Sequence, residues 1–309
     1  MGERAGAVLE PRRLRAGPRD ISLDRPIVVG ILNVTPDSFS DGGNFFSPAH
    51  AVAHARRMIA DGADIIDVGG ESTRPGALSV EPEEEIRRVV PVIAALRGRW
   101  PELTISVDTN KAEVAETALH VGATMVNDVS ALRLDAMMAR VIAKNDCAVV
   151  LMHSRGRVSE MASYEHASYE ADIVETIVAE LAARAHFAES VGVRRERIVL
   201  DPGLGFSKRS EHSRAILRGL DALVALGYPV MVGASRKRFV REAMAEGLAA
   251  AKGSDEPVDP AEFSVAERDA GTLGASVVAL TRGAMLFRVH DVCNHRHGLD
   301  VAWGILRHG

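Results

Sequence analysis

The sequence is short of sulfur, of net positive charge and of long apolar runs, and each shortage excludes a class of protein. Cys147 and Cys293 are its only cysteines and make no CxxC pair. No disulfide framework is therefore expected, and a reducing cytosol is the natural compartment. Lys plus Arg number 37 against 42 for Asp plus Glu, which argues against broad binding to nucleic acid or an anionic membrane and leaves only a local basic pocket. The longest uncharged, mostly apolar stretch, 222–234, is broken by Gly227 and Pro229. It falls short of the about 20 residues that a membrane span requires. The first 26 residues carry six Arg and four acids with no apolar run, unlike a signal peptide. No GxxxxGK[ST], GxGxxG or HExxH occurs, nor any Cys/His cluster, so neither common phosphate fingerprint nor a zinc site is present. Any metal is expected to be a hard cation held by few protein oxygens, which describes Mg²⁺.

What is present is a repeating alternation. At 309 residues the chain is long enough for two ordinary domains or one large α/β domain with a sizeable core. From Pro26 onward, short apolar, β-branched runs alternate with amphipathic stretches without a compositional break. The runs are 27–32, 65–68, 104–107, 125–126, 148–152, 198–200, 230–232 and 285–289. Continuous rather than alternating apolar character marks strands buried on both faces. Ser47-Pro48 reads as an N-cap followed by proline at the first helical position, with Val52, Ala55, Met58 and Ile59 on one face. Segments 83–97, 111–121 and 168–191 read as helices in the same way. Eight such units fit a single (β/α)₈ TIM barrel, which typically takes about 250 residues. A doubly wound sheet is the alternative, because local pattern does not show closure. The expected organisation is one α/β barrel domain, 26–309, behind an N-terminal arm, 1–25, with a short strand at 21–23 or a hairpin. Segment 247–262, rich in Gly, Pro and acids, is expected as a surface excursion.

The polar residues fall at or near the ends of the apolar runs. In order they are Asn33, Asp67, Asp108, Asn127-Asp128, His153, Asp201, Ser235-Arg236-Lys237 and Arg288 with His290. A parallel barrel opens all its strand ends on one face, so these groups converge over one mouth. Helix capping explains any one of them but not all eight. Asp108, Asn127 and Asp201 together accept and donate in plane, as a polar heterocycle with amide-like edges requires. Arg236, Lys237, Arg288 and His290 form a candidate anion site where strands pass into helices. The competing readings are a solvated helix face for Lys237 and Arg238, and a structural, hydrogen-bonded His290. Two Gly-rich turns, 33–43 and 69–76, have the composition of loops that move over a ligand.

At these residues the sequence resembles the dihydropteroate synthase family of pterin-binding barrels. The matching segments are 33–43 (NVTPDSFSDGG), 70–76 (GESTRPG), 106–109 (SVDT) with Asn127-Asp128, 201–208 (DPGLGFSK), and 235–237 (SRK) with 288–292 (RVHDV). The joint occurrence of the first two is far more specific than either alone. The resemblance runs from Pro26 to the C-terminus. It implies the (β/α)₈ fold and the condensation of (7,8-dihydropterin-6-yl)methyl diphosphate with 4-aminobenzoate, giving 7,8-dihydropteroate and diphosphate.

By the family's motifs, Asp108, Asn127, Asp201 and Lys237 hold the pterin, with Phe206 and Gly233 beside it. Asp108, Asp201 and Lys237 are the residues on which the resemblance places the chemistry. Asn33, Arg288 and His290 belong with the diphosphate, with Mg²⁺ at Asn33. Thr73 and Arg74 lie on the second loop, while Phe39 and Pro75 border the aminobenzoate site. Small-molecule substrates, no nucleic acid, no membrane and a homodimer are what the resemblance implies for partners. Two departures stand out. Met152-His153-Ser154-Arg155-Gly156 and the following Arg157-Val158-Ser159-Glu160-Met161 replace a usual Met-His-Met-x-Gly-Pro-x-Thr-Met-Gln, at the outer pterin wall. Arg238 stands where many members carry Ser, at the aminobenzoate carboxylate. The alternatives are a catalytically silent pterin-binding paralogue, expected to have lost the diphosphate cations or the loops, and a folate–corrinoid methyltransferase, which has no use for either.

Overall fold

The computed structural model describes residues 13–35, 48–72, 79–253 and 258–307. An antiparallel hairpin comes first, formed by β1 (Arg13–Ala16) and β2 (Arg19–Ser22). Parallel strands follow: β3 (Ile27–Asn33), β4 (Ile65–Gly69), β5 (Thr104–Asp108), β6 (Met125–Asp128), β7 (Ala148–Met152), β8 (Ile198–Asp201), β9 (Met231–Val232) and β10 (Leu286–Val289). They pair in the order β8-β7-β6-β5-β4-β3-β10-β9. A single parallel bridge between Leu200 and Val230 joins the two ends of that row. The eight strands therefore make the expected (β/α)₈ barrel, where a doubly wound sheet would leave two open edges.

The strands form where both faces find apolar neighbours. All five residues of β4 and all five of β7 are buried, and fully burying one Val, Leu or Ile stabilises the fold by about 1.5–3 kcal/mol. Several strands run past the apolar run to take in its polar end. Thus β3 closes on Asn33, β5 on Asp108, β6 on Asp128 and β8 on Asp201.

Helices fill the connections: α1 (Pro48–Ala60), α2 (Pro82–Arg99), α3 (Ala112–His120), α4 (Met138–Asn145), α5 (Val158–Met161), α6 (Ile173–Ser190), α7 (Ser210–Arg218), α8 (Leu220–Val224), α9 (Arg238–Lys252), α10 (Val265–Thr281) and α11 (Val292–Leu306). Helix α1 buries Ala51, Ala55 and Met58, with Val52 and Ile59 packed at its margin. Helix α6 starts later than the pattern suggested, because Asp172 accepts from the N–H groups of Val174 and Glu175 and so caps it there. The expectation of an excursion over 247–262 is corrected at its first half. Helix α9 continues to Lys252 through three consecutive alanines, the best helix former, and ends where Gly253 turns left-handed at φ +60°. Residues Pro260–Glu262 form a short 3₁₀ turn capped by Asp259. Ser47 lies outside the described residues.

The hairpin covers the end of the barrel away from the polar strand ends. Leu14 and Ala16 are wholly buried, packed against β7 and the turn at Arg195–Arg197. Gly17 sits on Thr124, just before β6 begins. With that floor covered, the mouth at the strands' C-terminal ends is left for a site. Among the described residues no helix is long and apolar enough to cross a membrane.

Candidate active site

Strand register explains why the polar ends converge. Asn33 pairs with Gly69, Gly69 with Asp108 and Asp108 with Asn127, so one level of the mouth is crossed strand by strand from β3 to β6. Met152 pairs with Asp201 at the same end of β7 and β8. Parallel pairing in phase places the residue just past each apolar run on a common rim.

A charge cluster lies at the centre. Arg288 donates from Nε to Asp67 Oδ2 and from Nη2 to Asp108 Oδ2, each at 2.6 Å. Asn127 Nδ2 donates to Asp67 Oδ2 at 3.0 Å. The Oδ1 atoms of Asp67 and Asn127 are buried without a hydrogen-bond partner among the described residues. A buried acceptor left without a donor costs about 1–3 kcal/mol, so these two atoms are a cost that the fold carries beside Arg288. Gly233 lies beside the cluster: a Cβ there would stand in ordinary contact, 3.9 Å from Arg288 Cβ and 4.0 Å from Asp201 Oδ2.

On the β8 side, Asp201 Oδ1 accepts from the N–H of Gly203 at 2.7 Å. Gly203 is left-handed (φ +66°), and a Cβ there would overlap the carbonyl oxygen of His153. Lys237 Nζ donates to the Leu204 carbonyl at 2.7 Å and lies 3.5 Å from the centre of the Phe206 ring. Phe206 in turn packs against the cluster of Val129, Met152 and Met161. The solvated-face reading thus fails for Lys237 and fits Arg238, which is exposed with its guanidinium 4.7 Å from the centre of the Tyr164 ring.

Enclosure shifts the titrations. Burial pushes the Asp108 carboxyl up to about 7, against the pull of Arg288. Burial likewise raises Asp201, with Gly203, Lys237 and Arg288 opposing. It lowers Lys237 to about 7, although Asp201 favours its charge. Arg288 is held charged: burial opposes the cation, and Asp67 and Asp108 more than offset it. Acid and base values brought together near neutrality in one cleft mark a functional site.

Other candidates divide. His290 shares a hydrogen bond between Nδ1 and Ser235 Oγ at 2.8 Å, next to the cluster. The Oδ1 of Asn33 and the Oδ2 of Asp108 both lie within 3.8 Å of where a Cβ on Gly69 would be. Asn33 thus offers one hard oxygen at this rim, the donor type that Mg²⁺ takes beside water and phosphate. Arg236, expected with the anion site, is not part of it. Its guanidinium makes a two-pronged bond with Asp269 of α10, 2.8 Å on each prong, and its N–H donates to Thr272. Asp128 turns out to be a turn builder, accepting from Ser130 and Leu132. Phe39, Thr73, Arg74 and Pro75 lie outside the described residues.

Asp67, in sequence one strand-end acid among several, is the hub that both Arg288 and Asn127 hold. The signal was available: it is the one charged residue inside the apolar stretch 65–69. Lys208, the last residue of DPGLGFSK, is buried beneath the same wall.

Residues 29–290 match the family model described as pterin binding enzyme. The dihydropteroate synthase of Mycobacterium leprae (strain TN) is 45% identical over 265 residues, covering 86% of this chain and 88% of that protein. Among solved structures, Xanthomonas albilineans dihydropteroate synthase with 4-aminobenzoic acid is similar at a TM-score of 0.82 and 40% identity, covering 96% of this chain and 98% of that one. The same enzyme in complex with 7,8-dihydropteroate gives 0.79 at 39% identity, with the same coverage. The chain belongs to the pterin binding enzyme family and, within it, to the dihydropteroate synthases.

Proposed function

We propose that this chain condenses (7,8-dihydropterin-6-yl)methyl diphosphate with 4-aminobenzoate to give 7,8-dihydropteroate and diphosphate. The observation that carries the reading is the meeting of Asp67, Asp108, Asn127, Asp201, Lys237 and Arg288 at one mouth. The carboxylates and the Asn127 carboxamide of this cluster supply acceptors that the amino and ring N–H groups of a pterin would meet. Lys237 and the face of Phe206 form the wall on the other side.

The chemistry asks for charge placement rather than a covalent nucleophile. The C–O bond at the pterin methylene breaks, diphosphate leaves with the electron pair, and the arylamine nitrogen forms the new C–N bond and releases its proton. Positive charge develops on the pterin, and the Asp108 carboxylate is the group that stabilises it. Arg288 uses only Nε and one proton of Nη2 on Asp67 and Asp108, so its remaining N–H donors could take a phosphate oxygen while Asp108 stays in place. Nε keeps Asp67 in place meanwhile. His290, steadied by Ser235, lies on the same strand end as Arg288. Mg²⁺ held at Asn33 would neutralise part of the leaving group's charge. We extend the same reading to a homodimer, on the family resemblance, and to the cytosol, which suits two free cysteines.

The test is diphosphate release with both substrates, and with each omitted in turn. Release that depends on 4-aminobenzoate and yields 7,8-dihydropteroate supports the reading. Pterin binding without turnover would identify a silent paralogue instead.

A further inference from the structure

Lys208 is a buried lysine that the reaction as described does not use, and burial pushes its amine well below the usual lysine range. Its side chain is 1% exposed, and a buried lysine is costly unless paired. Nζ meets three acceptors: His153 Nδ1 at 2.9 Å, the His153 carbonyl at 3.2 Å and the Phe206 carbonyl at 2.9 Å. Glu180 is a carboxylate and only accepts, so the ring proton of the neutral His153 sits on Nε2 and Nδ1 accepts from Lys208. Nε2 then donates to Glu180 Oε2 of α6 at 2.8 Å. The other oxygen of Glu180 is taken by Arg155. Hydrogen bonds thus run from Lys208 through a neutral imidazole to Glu180, whose carboxylate is shared with Arg155.

The chain of contacts ends on the turn that shapes the site. Between Asp201 and Lys208 the backbone is left-handed at Gly203, Gly205 and Ser207. Ser207 is not glycine, so that conformation costs about 1–2 kcal/mol and persists only because the surroundings enforce it. Ser207 Oγ accepts from the Arg155 N–H and donates to the Arg155 carbonyl, and Tyr169 donates to the Ser207 carbonyl. The turn is gripped by two lysines. Lys208 holds the Phe206 carbonyl from the buried side, and Lys237 holds the Leu204 carbonyl from the mouth, with its Nζ over the Phe206 ring.

We propose that Lys208 is a positioning residue for the pterin wall: with His153 and Glu180 it holds the Gly203-to-Ser207 turn in the one conformation that presents Phe206 and the Leu204 carbonyl to Lys237. The proposal rests on the functional reading above, in which Lys237 and Phe206 meet the pterin. Its consequence is selective. Loss of the grip should loosen the pterin wall while leaving the aminobenzoate end of the site as it was.

Three variants test it: Lys208→Met, His153→Leu and His153→Gln. A glutamine carboxamide can accept from Lys208 and donate to Glu180, so it restores the bridge that leucine removes. The measurements are binding of 6-hydroxymethylpterin by fluorescence titration, KM for each substrate, and thermal unfolding. Lys208→Met and His153→Leu should weaken the pterin and raise KM for the pterin diphosphate about tenfold or more, the size of one lost charge-assisted hydrogen bond. KM for 4-aminobenzoate should stay within about twofold and His153→Gln within about threefold of the parent on this scale. Parental pterin binding in folded Lys208→Met overturns the proposal. So does an equal rise in both KM values, or His153→Gln failing as His153→Leu does. If Lys208→Met does not fold, the two His153 variants decide alone. A parent protein that binds no pterin overturns the functional reading itself, and this proposal with it.

Discussion

Arg288, on the last strand of the barrel, donates from Nη2 to Oδ2 of Asp108, on the third, at 2.6 Å. The contact spans the mouth, and its partner bond to Asp67 reaches a residue only 1% exposed. One guanidinium therefore ties two acids of the mouth together, and in the proposed reaction it would also receive the diphosphate.

Arg288→Ala should accordingly show two separable losses. Capture of the pterin diphosphate should weaken by about 1.5–3 kcal/mol, the contribution of a charge-assisted contact, and appear as a higher KM. Stability should also drop, because removing one partner of a buried pair costs about 3–5 kcal/mol. Adding Asp67→Asn should restore part of the melting temperature without restoring KM. If binding of a pterin lacking phosphate falls as far as binding of the diphosphate, Arg288 is structural alone.

Rate should follow a bell-shaped pH dependence. The Asp108 carboxyl, raised to about 7, is ionised only above that pH. Lys237, lowered to about 7, is charged only below it. Activity that needs both charges rises toward neutrality on the acid limb and falls above it on the alkaline limb, with kcat/KM greatest near pH 7. Asp108→Asn should flatten the acid limb of whatever activity it retains. A parent profile that is level between pH 5.5 and 8.5 would remove both residues from the charged roles given them (pH limits of about these values bracket the two pKa values by more than one unit).

Arg236 supplies the contrast. It is a neighbour of Lys237 in sequence but bonds to Asp269 rather than to the mouth. Arg236→Ala should lower unfolding stability by about 1.5–3 kcal/mol, since Asp269 loses a two-pronged charged partner. KM for both substrates should be unchanged in the folded protein. A rise in KM for the pterin diphosphate alone would return Arg236 to the anion site.

Much of this arrangement was legible in the residues themselves. Buried β-branched runs announce their own strands, and in a parallel barrel Asn33, Asp108, Asn127 and Asp201 have only one face on which to end. Long-range pairing was not legible. That Arg288 reaches Asp67 depends on how β10 closes beside β3, and nothing local to 285–289 records it. Arg236 and Lys237 are adjacent cations at one strand end, and only the left-handed backbone at Arg236 (φ +58°) sends it to α10. The run after Glu246 misled for a different reason: Gly247 and the acids beyond read as loop, while packing and the alanines carried α9 on to Lys252.

The most direct measurement is turnover of Asp108→Asn beside equilibrium binding of the pterin diphosphate to variant and parent. The amide keeps nearly the shape and loses the charge. If Asp108 stabilises the cation that forms as diphosphate leaves, the loss belongs to the transition state. In that case kcat falls by roughly 10²–10³, as for one well-placed electrostatic partner, with binding largely kept. Near-parental turnover would contradict the account and move the stabilising role to Asp201.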